Sequence, residues 1–210
     1  MSLKFGTDGV RAEAFTVLTT HYVAALGSAA AQVLGGGQWL IGRDTRESGP
    51  ALAAAVAAGL AAGGAQPISV GVMPTPALAW LAAQRGVPAA MITASHNPWQ
   101  DNGVKFFAPG GLKLLDEVER AIEAVLQLDG PEPHDVVPSH VDALGEYAYE
   151  VWAAAAQLPL VGRTCFGAHL AVPRPADPLL SGWHAVNCLR EWRGDTHWAL
   201  VVAAGLGHAE

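Results

Sequence analysis

A serine, a histidine, an asparagine and a lysine share the window "TASHNPWQDNGVKFF", residues 93–107. Ser95 leaves an apolar run and enters a bend, because Pro98 drives Asn97 toward extended backbone. Successive backbone N–H groups in such a bend can converge on an anion. His96 adjoins the serine in the chain and is poorly placed to be its general base. No G-x-S-x-G elbow surrounds Ser95, so a hydrolase triad is not indicated. The residues alone leave two readings: a turn serine bonding its own backbone, or a hydroxyl set beside an anion site.

The elements that must position this window follow from apolar runs and from Gly and Pro punctuation. "QWLIG" (38–42), "QPISVGV" (66–72) and "PAAMITA" (88–94) read as short buried strands. Between them, "PALAAAVAAGLAAGG" (50–64) and "PALAWLAAQRG" (76–86) read as helices, each with Pro in its opening turn and Gly just past its end. Ser48 and Thr75 are the expected N-caps. Further helices are expected from about Val17 to Leu34, Asp116 to Leu128, and Val141 to Ala156, the last capped by Ser139. Strand and helix alternate, which predicts an α/β layer with strands covered on both faces. Ligands sit at the carboxyl ends of such strands, and Ser95 lies directly beyond one.

Composition narrows the partners. Twelve Lys and Arg against 19 Asp and Glu give a net charge of −7 over 210 residues, a poor match for a nucleic-acid backbone. No stretch is apolar enough to span a bilayer, and the start shows no basic segment followed by an apolar one, so a cytoplasmic protein is expected. Cys165 and Cys188 stand apart without C-x-x-C spacing, which argues against a zinc site. Beyond Pro159 the pattern loses clean periodicity. The expected division is therefore 1–157 and 158–210.

Four stretches, in order, resemble one family. "KFGTDGVRA" (4–12), "IGRDTRESG" (41–49), "GVMPTPALAWL" (71–81) and "ITASHNPWQDNGVKFFAPGGLKL" (92–114) are similar to the first domain of the α-D-phosphohexomutases. The "FGTDGVR" opening resembles the phosphoglucosamine mutase branch more than the phosphomannomutase or phosphoglucomutase branches. The resemblance implies a mixed sheet sandwiched between helices, followed by an incomplete or divergent second domain.

It also implies an intramolecular phosphotransferase interconverting glucosamine 6-phosphate and glucosamine 1-phosphate through a phosphoserine and a bisphosphate. Ser95 would carry the phosphoryl group, Arg11 and Lys105 would flank it, and His96 would help orient the substrate hydroxyl. Thr7, Asn97, Arg43 and Arg46 would contact substrate or phosphate. For Arg43 and Arg46, an internal ion pair with the intervening Asp44, fixing the loop, is favoured over direct phosphate contact. Mg²⁺ would bind Ser95 through its phosphate, yet no D-x-D-x-D run occurs in the chain to complete its shell. The expected partner is a hexosamine or hexose phosphate, with no nucleic acid and no membrane. The alternatives are a phosphomannomutase or phosphoglucomutase, and a non-catalytic sugar-phosphate-binding fragment.

Overall fold

A computed structural model describes residues 3–6, 9–128, 136–148 and 150. The chain divides into two compact units, Met1–Asp142 and Ala143–Glu210. In the second, residues 144–148 are helical, within the expected final helix. The atypical tail and the expected division at 157 lie outside the described residues.

The first unit is built from β1 (Val10–Glu13), α1 (Thr20–Leu34), β2 (Gly37–Arg43), α2 (Gly49–Ala62), β3 (Ala65–Val72), α3 (Thr75–Arg85), β4 (Ala89–Ile92), β5 (Asp101–Phe107), α4 (Asp116–Val125) and β6 (Ser139–His140). The six strands form one sheet in the order β1-β5-β4-β2-β3-β6. β2 runs parallel to β3 and β4, and β3 runs parallel to β6. β5 is antiparallel to both β4 and β1, so the sheet is mixed, as expected.

Alternation along the strands assigns the two faces. Val10, Ile41, Ala90, Ile92, Val104 and Phe106 join α1, α2 and Ile122 of α4 in one core. Trp39 anchors it: the ring is fully buried, meets Phe106 edge-on at 5.9 Å, and donates its indole N–H to the Gly35 carbonyl at 3.1 Å. Tyr22 of α1 donates to the Leu3 carbonyl, and burial, with Glu123 adding to it, pushes its phenol up to about 12. On the opposite face Gly42 lies against Leu78 of α3 and Met73, where an added Cβ would come within 3.2 Å of both side chains.

The Pro and Gly signals mark α2 and α3 correctly, with Pro in both first turns and Gly63 and Gly86 as C-caps. The cap expectations need correction. Ser48 sits at the N-cap of α2 but makes no cap bond, because its hydroxyl accepts from the buried Asn102 side chain at 2.8 Å. Thr75 is already helical, with Pro74 at the N-cap of α3. Ser139 belongs to β6, paired with Ile68, so it caps no helix. α1 starts later than expected, at Thr20, and is capped by the Thr19 side chain. β1 was not expected as a strand.

Helices α1 and α2 approach closely because Gly27 and Gly59 carry no side chain. A Cβ on Gly59 would overlap the Ala24 carbonyl, and one on Gly27 would come within 2.9 Å of the Val56 carbonyl. Gly59→Ala should therefore force the helices apart and cost about 1–3 kcal/mol in a urea unfolding titration, like other overpacked cores. An unchanged midpoint would contradict this packing.

Candidate active site

The parallel strands β2, β3 and β4 end on the same edge of the sheet, and their exits are stitched together. Asp44 N–H donates to the Ile92 carbonyl at 3.0 Å, and Met73 N–H to the Arg43 carbonyl at 3.0 Å. Ser95 follows β4 on this edge. It is exposed and adopts φ +55°, a left-handed conformation unusual for a residue with a Cβ. Its N–H donates to Thr93 Oγ1 at 3.0 Å, and the Thr93 hydroxyl donates to Asp44 Oδ2 at 2.7 Å. Asp44 in turn accepts from Arg46 twice, from the backbone N–H at Oδ1 and from Nε at Oδ2, both at 3.0 Å.

Arg46 is the hub of the loop. Its Nη1 donates to the carbonyls of Pro98 and Asp101 at 2.6 and 2.9 Å. Its Nη2 donates to the carbonyls of Ser95 and Asn97 at 2.8 and 3.0 Å. With Nε on Asp44, all five guanidinium donors are taken by protein oxygens. Arg46 thus takes the internal, loop-fixing ion pair with Asp44, and no N–H of its guanidinium is left over for a phosphate.

Asn97 closes the same loop. Its N–H donates to the Ala94 carbonyl, and its Nδ2 donates to Asp101 Oδ2 at 2.9 Å. None of the bonds that hold the loop uses the Ser95 hydroxyl. His96 is exposed beside it.

Arg11 and Lys105 reach this region from the neighbouring strands. In the β1/β5 register Arg11 faces Gly103, and in β4/β5 Met91 faces Lys105. Thr93 continues that row, donating its N–H to the Gly103 carbonyl at 3.0 Å. Val10 and Val104 face the core. Alternation therefore puts Arg11, Gly103, Lys105 and Thr93 together on the other face.

The missing side chain at Gly103 admits Arg11: a Cβ there would come within 2.7 Å of Arg11 Cγ. Gly9 also serves the backbone, with φ +93° and no space for a Cβ beside Lys105 Cα. Lys105 Nζ lies 5.5 Å from the Phe107 ring centroid.

Arg43 does not join them. It pairs with Ile92, a core residue, and so occupies the face opposite Arg11 and Lys105. Its Nη1 donates to the Asp44 carbonyl at 3.2 Å, and its stem packs at Gly49. Asp44 forms its ion pair with Arg46, not with Arg43. Thr7 lies outside the described residues. Thr93 and Asp101 went unread in the sequence, although Thr93 stands two positions before Ser95 and so on the same side of an extended strand.

The donors beside Ser95 do not fit a magnesium shell by themselves. Asp44 and Asp101 already accept hydrogen bonds from the loop. Among the described residues no group of three or more His, Cys, Asp or Glu side chains could hold a metal ion. Nor is any described helix long and apolar enough to cross a membrane.

Comparison with known proteins agrees with this architecture. Residues 2–130 match the family model described as phosphoglucomutase/phosphomannomutase, alpha/beta/alpha domain I. A second model, described as a helix-turn-helix family, matches 87–210. Within that stretch, however, residues 89–92 and 101–107 are strands of the central sheet.

The chain is 47% identical over 162 residues to a phosphoglucosamine mutase of Corynebacterium efficiens, covering 70% of this chain and 36% of that protein. It is 51% identical over 142 residues to one from Bifidobacterium animalis subsp. lactis, covering 63% and 31%. It thus spans about a third of the length of these curated relatives. A solved structure described as a putative phosphomannomutase from Thermus thermophilus superposes with TM-score 0.68 at 31% identity, covering 73% of this chain and 36% of that one. A phosphoglucomutase/phosphomannomutase family protein of Burkholderia thailandensis gives 0.58 at 25% identity, covering 71% and 35%.

The half-buried Asp44 links Arg46 to Thr93, so Asp44→Ala removes three hydrogen bonds at once, one of them the ion pair with Arg46. It should cost about 2–3 kcal/mol of stability by denaturant titration, more than an exposed ion pair would. A change below about 0.5 kcal/mol, the usual range for plain surface substitutions, would contradict this reading.

Proposed function

Since the chain belongs to the phosphoglucomutase/phosphomannomutase family through its alpha/beta/alpha domain I, we propose that it carries the phosphoserine-bearing domain of a phosphoglucosamine mutase. The observation that carries the reading is Ser95: exposed, left-handed, at the carboxyl end of a parallel strand, its hydroxyl unused by the loop. Arg11 and Lys105 share the sheet face of Thr93, two residues before it. The similarity to phosphoglucosamine mutases at 47–51% identity favours a hexosamine phosphate over other hexose phosphates.

In the step assigned to this chain, an O–P bond of a hexose 1,6-bisphosphate breaks and an O–P bond to Ser95 Oγ forms. The serine proton goes to the sugar oxygen that is released. Transfer back to a hexosamine 6-phosphate reverses the same bonds and gives the bisphosphate of that sugar. Such transfers depend chiefly on positioning and on cations that neutralise the moving phosphoryl group. Arg11 and Lys105 are proposed for that neutralisation, and His96 and Asn97 for shaping the approach of the sugar hydroxyl. Arg43, on the opposite sheet face, is left with the α2 start. The phosphoserine oxygen would be this chain's donor to Mg²⁺. A cytoplasmic location suits a soluble sugar phosphate.

Intact-mass spectrometry after incubation with glucose 1,6-bisphosphate tests the reading. The expected result is a gain of about 80 Da, one phosphoryl group, lost on adding glucosamine 6-phosphate and absent in Ser95→Ala. Tight binding of the sugar phosphate without any mass gain would favour the non-catalytic fragment instead.

A further inference from the structure

We infer that Arg46 is the positioning residue of the phosphoryl-accepting loop, acting through the backbone of Ser95 and never through phosphate. This deepens, and rests on, the phosphoserine reading above. The side chain is 12% exposed, so it is not a surface arginine that happens to touch an acid. Its two terminal nitrogens gather the carbonyls of residues 95, 97, 98 and 101, nearly the whole excursion between β4 and β5.

The arrangement has a direct consequence for Ser95. The left-handed region costs a residue with a Cβ about 1–2 kcal/mol, so something must hold Ser95 there. Both of its backbone polar groups are held. The carbonyl is drawn to Arg46 Nη2 at 2.8 Å, and the N–H is bound by Thr93 Oγ1 at 3.0 Å. Asp44 couples the two grips, because its Oδ2 receives both Arg46 Nε and the Thr93 hydroxyl. With N–H and C=O fixed, the direction of the Cα–Cβ bond is fixed, and the hydroxyl remains as the outward polar group.

The four carbonyl oxygens are turned toward the guanidinium. Lysine cannot substitute. An ammonium has three donors on one atom and cannot span four carbonyls and a carboxylate.

Two measurements test the assignment. In wild-type protein, ¹⁵N-resolved NMR should show separate, slowly rotating Nη protons for Arg46, and the Ser95 amide should show the coupling of a positive φ. A single averaged Nη signal would overturn the assignment without any variant having to fold. In Arg46→Lys, the Ser95 coupling should move to that of an ordinary negative φ. Phosphorylation of Ser95 by saturating glucose 1,6-bisphosphate should slow by about tenfold or more, with the half-saturating concentration little changed, as expected of a misplaced reacting atom. A wild-type Ser95 coupling in Arg46→Lys, or a rate within about twofold of wild type, would overturn it. If wild-type protein takes no phosphoryl group, the phosphoserine reading fails. The NMR result still decides whether Arg46 holds Ser95.

Discussion

The guanidinium of Arg46, set between one carboxylate and four backbone carbonyls, is the contact on which the strand-exit loop depends. A loop of this kind has few apolar side chains to bury, and its carbonyls would otherwise each need water or another donor. One planar cation satisfies them together and brings the start of β5 against the end of β4. Charge-assisted bonds of this type are roughly twice as strong as neutral ones, enough to hold a serine in an unfavourable backbone conformation.

The sheet supplies the second half of the geometry. β5 is antiparallel to its neighbours, so Lys105 and Gly103 run back past β4, and β1 then lays Arg11 beside Gly103. Cations that are far apart in the chain share one face with Thr93 because three adjacent strands are in register. The absence of a side chain at Gly103 is what admits the arginine stem. Two cations on the sheet face of Thr93, with a third already satisfied inside the loop, are the proposed setting for receiving negative charge. They do not make a site for binding a metal through carboxylates.

Much of this was legible in the residues, and the gaps have physical causes. Apolar runs and Pro/Gly punctuation located β2, β3, β4, α2 and α3, because those elements are buried or bounded by residues with fixed backbone preferences. The caps were misread where a long-range partner competed: the Ser48 hydroxyl accepts from the Asn102 side chain, and Ser139 pairs with Ile68 in the sheet. β1 escaped notice because four residues with one core-facing valine carry little pattern, and the strand exists through pairing with residues 101–104. The window around Ser95 stood out, but its left-handed backbone did not, since the grip comes from Arg46, 49 positions earlier. Arg43 and Arg46 look equivalent in the chain. Arg43 ends β2 on the core face, whereas Arg46 lies beyond the strand, in the loop.

The most direct test of the account is a ³¹P NMR titration of the Ser95-phosphorylated protein. An isolated phosphoserine loses its second proton near pH about 6. Cations at positions 11 and 105 favour the dianion, so the resonance should titrate below that value. It should move back toward it in Arg11→Met and Lys105→Met. A resonance titrating at the free value, and unmoved by either substitution, would show that these cations do not face the serine and would contradict the account.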